Sequence, residues 1–170
     1  GIHKAKARLY ALTSDFEQSV AEGERILPLA RLIGDRTAEA DGLATIAWAS
    51  TWARNIDGAL RFARKAIAVA EPVGAQAAQG RAQFVLGFVR SVTGSLAEGQ
   101  ASLDKAMAIS RSAGDAMHES LSLSTAGLLR NWSGDYSEAA QLQAKAMTLA
   151  RDSRALLALL LGCFNGGLTL

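Results

Sequence analysis

Residues able to do chemistry are few in this chain: two histidines, one cysteine and carboxylates scattered through 170 residues. His118 precedes Glu119, as in zinc-hydrolase helices, but no second histidine stands four residues from His118, so the paired metal ligand on the same helix face is missing. A position at a helix start or on the surface is expected for it. His3 offers less still. Cys163 sits in a run of leucines, where apolar burial raises a thiol's pKa and leaves it inert, so it is expected to be a small core residue. The stretch Gly162-Cys163-Phe164-Asn165-Gly166-Gly167 is glycine-rich, yet no strand precedes it and no Lys-Ser/Thr follows, so neither a dinucleotide fingerprint nor a phosphate loop is present. Asn131-Trp132-Ser133 spells a glycosylation acceptor, which means little without a secretory signal. No catalytic residue, cofactor or metal is expected.

The composition describes a helical scaffold. Thirty-four alanines, two prolines and an aromatic content of 6% favour helix, and no four-to-eight-residue alternation of apolar and polar residues marks a strand. At 49% hydrophobic and 20% charged, the chain can bury a core. Eighteen basic and sixteen acidic residues leave a net charge of +2 without a long run of one sign, so nucleic acid is not an expected partner. A single cysteine forbids an intrachain disulfide, and Gly1–Arg8 is not followed by the apolar core of a signal peptide. The longest apolar run, Ala155–Phe164, covers ten residues, about half a membrane span. A cytoplasmic protein, away from membranes, is the expectation.

Self-similarity appears at a spacing of 40 residues. Gly34, Gly74 and Gly114 open consecutive units. Asp15, Asn55, Ser95 and Asp135 share a column, each a good helix N-cap and each followed by an apolar residue: Phe16, Ile56, Leu96 and Tyr136. Gln18, Glu98 and Glu138 stand where they could complete a capping box, and Gly58 breaks that pattern. Further columns read Arg25, Lys65, Lys105, Lys145 and Leu27, Ile67, Met107, Met147. A small residue recurs at Ala7, Ala47, Gly87, Gly127 and Gly167, where paired helices would have to cross closely. Each unit is read as two amphipathic helices; in one of them Ile56, Leu60, Ala63, Ile67 and Ala70 form a single apolar stripe. Gly94 and Gly134 suit a left-handed C-cap, so Arg54 in the same column should be strained. Pro72 can stop a helix, whereas Pro28 lies inside one and predicts a kink or an early end. The expected fold is all-α, a solenoid of antiparallel helix pairs with about four repeats: 1–33 (partial), 34–73, 74–113, 114–153 and 154–170 (partial).

The segment Gly134-Asp135-Tyr136-Ser137-Glu138-Ala139-Ala140, continuing to Lys145-Ala146-Met147-Thr148-Leu149, with Gly127 upstream, resembles the second half of a tetratricopeptide repeat. The likeness runs from Ala7 to Gly167. It departs from that family in its 40-residue period, in Leu43, Gln83 and Leu123 where an aromatic is usual, and in lacking the closing proline. The longer period with Gly34-Asp35 and Gly114-Asp115 openings is similar to the extended repeats of large bacterial signalling proteins: maltose-regulator-like transcription factors, and cyclases or kinases carrying an ATPase module and helical repeats.

The resemblance implies a concave groove lined by first-helix columns: Ala44, Phe84 and Ser124; Trp48, Phe88 and Leu128; Thr51, Ser91 and Asn131; Trp52, Val92 and Trp132. Large apolar groups there could anchor a partner helix or peptide, or the two aromatic columns could simply pack neighbouring helices. Phe84 is the favoured groove residue, with Lys4, Arg8, Arg81, Arg90 and Arg130 able to rim the groove. Relatives that clamp acidic chaperone tails use a lysine and asparagine pair on the first helices followed by further basic residues; Lys4 fits one such place, but Arg8, Thr45 and Asp41 occupy others, so that activity is not expected. The leading reading is a protein–protein interaction module binding a protein or peptide within a larger regulatory chain. The alternative is a ligand-sensing domain controlling an attached effector, which a pocket closed on several sides with converging polar groups would favour. Because the apolar helix at 154–170 lacks a covering partner, self-association through that end is expected.

Overall fold

The computed structural model describes residues 2–12 and 15–167, with the side chains of Lys4, Arg8, Ala11, Leu12 and Phe164 and residues Gly166 and Gly167 outside the described set except for their helical backbone. Among the described residues there are nine α-helices and no strand: α1 (Ile2–Leu12), α2 (Phe16–Leu32), α3 (Arg36–Trp52), α4 (Ile56–Ala70), α5 (Gln76–Val92), α6 (Leu96–Ser112), α7 (Ala116–Trp132), α8 (Tyr136–Asp152) and α9 (Leu156–Gly167), with a short 3-10 turn, Glu71–Val73, after α4.

One turn design joins the helices from α2 onward. A residue in the left-handed region closes each helix, and the next residue opens the following one: Gly34, Arg54, Gly74, Gly94, Gly114, Gly134 and Arg154 all have positive φ. The Gly34 N–H bonds to Arg31 O and the Asp35 N–H to Ala30 O, which satisfies carbonyls that the ending helix leaves open. Arg54 adopts φ 62° and so bears the expected strain; Arg154, at φ 55°, shares it. Asp15, Asp35, Asn55, Asp115 and Asp135 then cap through their side chains, whereas Ser95 makes no such bond. Glu98 and Glu138 do not turn back to the caps. They pair across the turn with Arg90 and Arg130, as Glu39 pairs with Arg31 and Glu119 with Arg111.

Pro28 does not end its helix, which continues to Leu32. It lies on the exposed side of α2, where water can satisfy the carbonyl that loses its N–H partner. Pro72 falls in the 3-10 turn that ends α4.

Consecutive helices pack against one another, and the odd helices also touch in series, α1 to α3, α3 to α5, α5 to α7 and α7 to α9, forming a common layer. This is an α-solenoid of helix pairs. Alanine lets the layers close: Ala40, Ala44 and Ala47 of α3 and Ala59, Ala63, Ala66 and Ala70 of α4 are fully buried, with Leu43, Ile46, Val85, Val89, Leu103 and Leu121 filling the space between. The expected α4 stripe is the face that packs, since Ile56, Leu60 and Ile67 lie against the same core. Helices α5 and α6 cross closely. A Cβ on Gly87 would stand 2.7 Å from Leu103 Cγ, and one on Gly99 would stand 2.5 Å from Ser91 Oγ. Small residues are demanded there by steric contact.

Candidate functional site

A cavity of about 590 Å³ opens on the odd-helix layer. Its wall is built from the beginnings of four helices, because Thr37, Ala77, Met117 and Leu157 all line it. These residues form a single column of the 40-residue repeat. Helical spacing places Asp41, Ala44, Thr45 and Trp48 above Thr37 on the same face of α3, and Arg81 one turn above Ala77 on α5. Ala7, Ala75 and Ala78 keep the floor low, so a solenoid with bulkier side chains here would have no cavity.

Charge is buried at this wall. Arg81 is only 7% exposed; its Nη2 donates to Asp41 Oδ1 and its Nε to Ala77 O at 3.2 Å. Thr45 Oγ1 donates to Asp41 O at 2.8 Å, fixing the turn that carries the acid. Asp115, which also lines the cavity, caps α7, accepting the His118 N–H at 3.2 Å through one oxygen and meeting His118 Nδ1 at 2.9 Å through the other. An ionised carboxylate can only accept, so Nδ1 carries the proton. Burial pushes the Asp115 carboxyl upward, but the bonds and charge of His118 and the charge of Arg81 outweigh it and hold the group below the ordinary aspartate range. His118 does open a helix as expected. It is buried rather than on the surface, however, because its ring wedges edge-on against Trp48 and lies 6.5 Å from Phe84.

The aromatic columns are chiefly packing. Trp48 and Trp52 of α3 meet Phe84 and Phe88 of α5 at 5.6 Å between ring centroids in both pairs, and Phe16 extends the stack beyond Trp52 at 6.4 Å. Phe84 is 3% exposed and packs against Trp48 and Phe88. Of the residues named from the sequence, Ala44, Trp48 and Arg81 line the cavity. Thr51 and Ser91 bond to their own helices through Ala47 O and Gly87 O. Ser124 donates to Gln143 Oε1 and accepts from Asn165 Nδ2, tying α7 to α8 and α9. Leu128 is buried, Asn131 half-buried and Trp132 exposed at the end of α7. Arg90 and Arg130 are engaged with Glu98 and Glu138 rather than rimming a groove, and the side chains of Lys4 and Arg8 lie outside the described residues. Gly167 of the small-residue column lies outside them too.

Sequence reasoning missed Asp41, Asp115, Met117 and Leu157 as wall residues. The signal for Asp41, Met117 and Leu157 was present in the columns at 37 and 41 plus multiples of 40, nearer the helix starts than most of the columns chosen, and Asp115 stands in the cap column at 35 plus multiples of 40. Cys163 is exposed rather than core, because α9 turns Ala158 and Gly162 inward and leaves Leu156, Leu160 and Cys163 on its outer side. Among the described residues no three histidine, cysteine or acidic side chains gather as a metal site, and no helix is long and apolar enough to cross a membrane.

No family model matches the chain, and no curated protein matches it.

Proposed function

We propose that the chain is a recognition module of tetratricopeptide type that binds a small ligand in the cavity on its odd-helix face and performs no chemistry itself. In this reading it is the sensing part of a larger signalling protein, and occupancy of the cavity alters how its helix pairs pack and thereby instructs an attached effector. The observation that carries it is the Asp41–Arg81 pair. Burying two charges costs more than packing apolar residues of similar volume, and this pair stands at the wall of a cavity of ligand size, between apolar surfaces and a second acid–base pair. Such mixed lining favours a small ligand over a peptide laid along an open groove.

The test is a thermal-shift and tryptophan-fluorescence screen of pooled amino acids, nucleotides, sugars, organic acids and polyamines. Binding by one class, lost in Arg81→Met and in Trp48→Ala, is the expected result. Binding by none, or binding indifferent to both substitutions, refutes the reading.

A protein-binding role rests on a different observation. Trp132 and Tyr136 are 50% and 63% exposed at the α7–α8 turn, and Leu156 and Leu160 are 69% and 61% exposed along α9. Self-association through α9 predicts a mass by light scattering that rises with concentration and returns to monomer in Leu156→Glu/Leu160→Glu; a monomer at every concentration refutes it.

A further inference from the structure

The class of ligand follows from how the charges of the cavity wall are matched, on the premise that the cavity is a binding site as proposed above. Four of the described residues that line it can carry charge: Asp41, Arg81, Asp115 and His118. Each already meets a counterpart within the protein. Arg81, 7% exposed, donates through Nη2 to Asp41 Oδ1 and through Nε to Ala77 O. His118, 5% exposed, engages both Asp115 oxygens, one through its backbone N–H and the other through Nδ1. A carboxylate, phosphate or ammonium entering here would shed its own hydration only to meet charges that are already answered. Capturing one of them would strand a partner that has lost its counter-charge in a poorly solvated place.

The rest of the wall is uncharged. Ala44, Met117 and Leu157 offer apolar surface, and Ala75, Ala77 and Ala78 add more at the start of α5. Trp48 lines the same cavity and is half-buried, its indole held by Trp52, Phe84 and His118, so it presents a fixed ring against which a second ring can pack. Thr37 and Gln76, both exposed and both in the wall, bring a hydroxyl and an amide, which exchange hydrogen bonds with a ligand without carrying charge. A volume of about 590 Å³ lies within the range of small-molecule sites. We propose that the cavity takes an uncharged aromatic molecule, its ring against Trp48 and its polar groups answered by the neutral side chains of the wall.

Three probes of one size test this when they join the pooled classes: naphthylacetamide, its anionic counterpart naphthylacetate, and the cationic naphthylethylamine. Calorimetric titration is expected to show the amide binding at least tenfold more tightly than either charged form. Asp41→Asn leaves Arg81 without its counter-charge, and should weaken the amide and turn the preference to the acetate. Arg81→Met leaves Asp41 bare, and should weaken the amide and turn the preference to the amine. Opposite reversals from two substitutions at one contact are not produced by a general loss of structure, and should one variant fold poorly, a reversal in the other supports the inference. A charged probe binding the wild type within tenfold of the amide, or an order of the three unchanged in every variant that folds, overturns it. Binding of one of the other pooled classes in place of the amide overturns the inference while leaving the sensing role intact. No binding by any class, the amide included, overturns both.

Discussion

Replacing Asp41 by alanine removes the carboxylate from a guanidinium whose side chain is 9% exposed and which also donates to the Ala77 carbonyl. Breaking a buried pair in this way costs about 3–5 kcal/mol, because the surviving charge stays in a poorly solvated place. Arg81 lies at the wall of an open cavity that can admit water, so the lower end, about 3 kcal/mol, is expected. For a domain of this size about 3 kcal/mol corresponds to a fall in melting temperature on the order of 6–12 °C. Arg81→Met leaves Asp41 in a less enclosed position and should cost less. The double variant, with neither charge, should return to within about 1 kcal/mol of the wild type, since removing both members of a buried pair is often nearly neutral. Urea unfolding followed by helical circular dichroism on the four proteins gives the coupling energy directly. If the two single losses simply add in the double variant, the pair is not the interaction described here.

Arg54→Gly and Arg154→Gly should each stabilise the chain by about 1 kcal/mol by relieving a side chain in the left-handed region, as measured by urea midpoints; a loss of stability in both contradicts the turn geometry. Gly87→Ala should destabilise by about 1 kcal/mol net, the overpacking against Leu103 exceeding the gain in helix propensity, and an unchanged midpoint would show that α5 and α6 cross less closely. Stability should fall on acidification through two depressed carboxyls, Asp115 and Glu22, the latter lowered first by its His3 hydrogen bond and then by neighbouring charges. Because their folded values lie below the unfolded ones, their contribution is complete above the ordinary carboxylate range and is lost as pH drops through the folded values. Asp115→Asn, which can still cap α7, should flatten that acid limb, and an unaltered pH profile would count against the His118 pairing.

The period, the helix pairing and the turns could be read from the sequence because each depends on contacts within a few residues. A left-handed residue followed by a cap writes Gly-Asp at 34–35 and 114–115, and its chemistry is independent of what lies beyond the turn. The close crossing at Gly87 was legible for a related reason, since glycine inside a helix needs a packing cause. Column membership showed that Trp48, Phe84 and Phe88 share environments with their counterparts in other units. It did not show which side of a helix faces a neighbour and which faces a void.

That choice belongs to the tertiary structure. Phe84 went to the interior and Trp48 to the cavity wall because of how α3 and α5 pack against each other and against α7. His118 was buried because two aromatic rings from other units happened to meet it. Asp41 and Arg81, forty residues apart, became partners only when successive odd helices lay side by side. The sequence by itself thus determined the repeating element and its joints, which are local, while the folded assembly decided where the helices fail to touch, and an unfilled space between four helix ends is a property of all of them together.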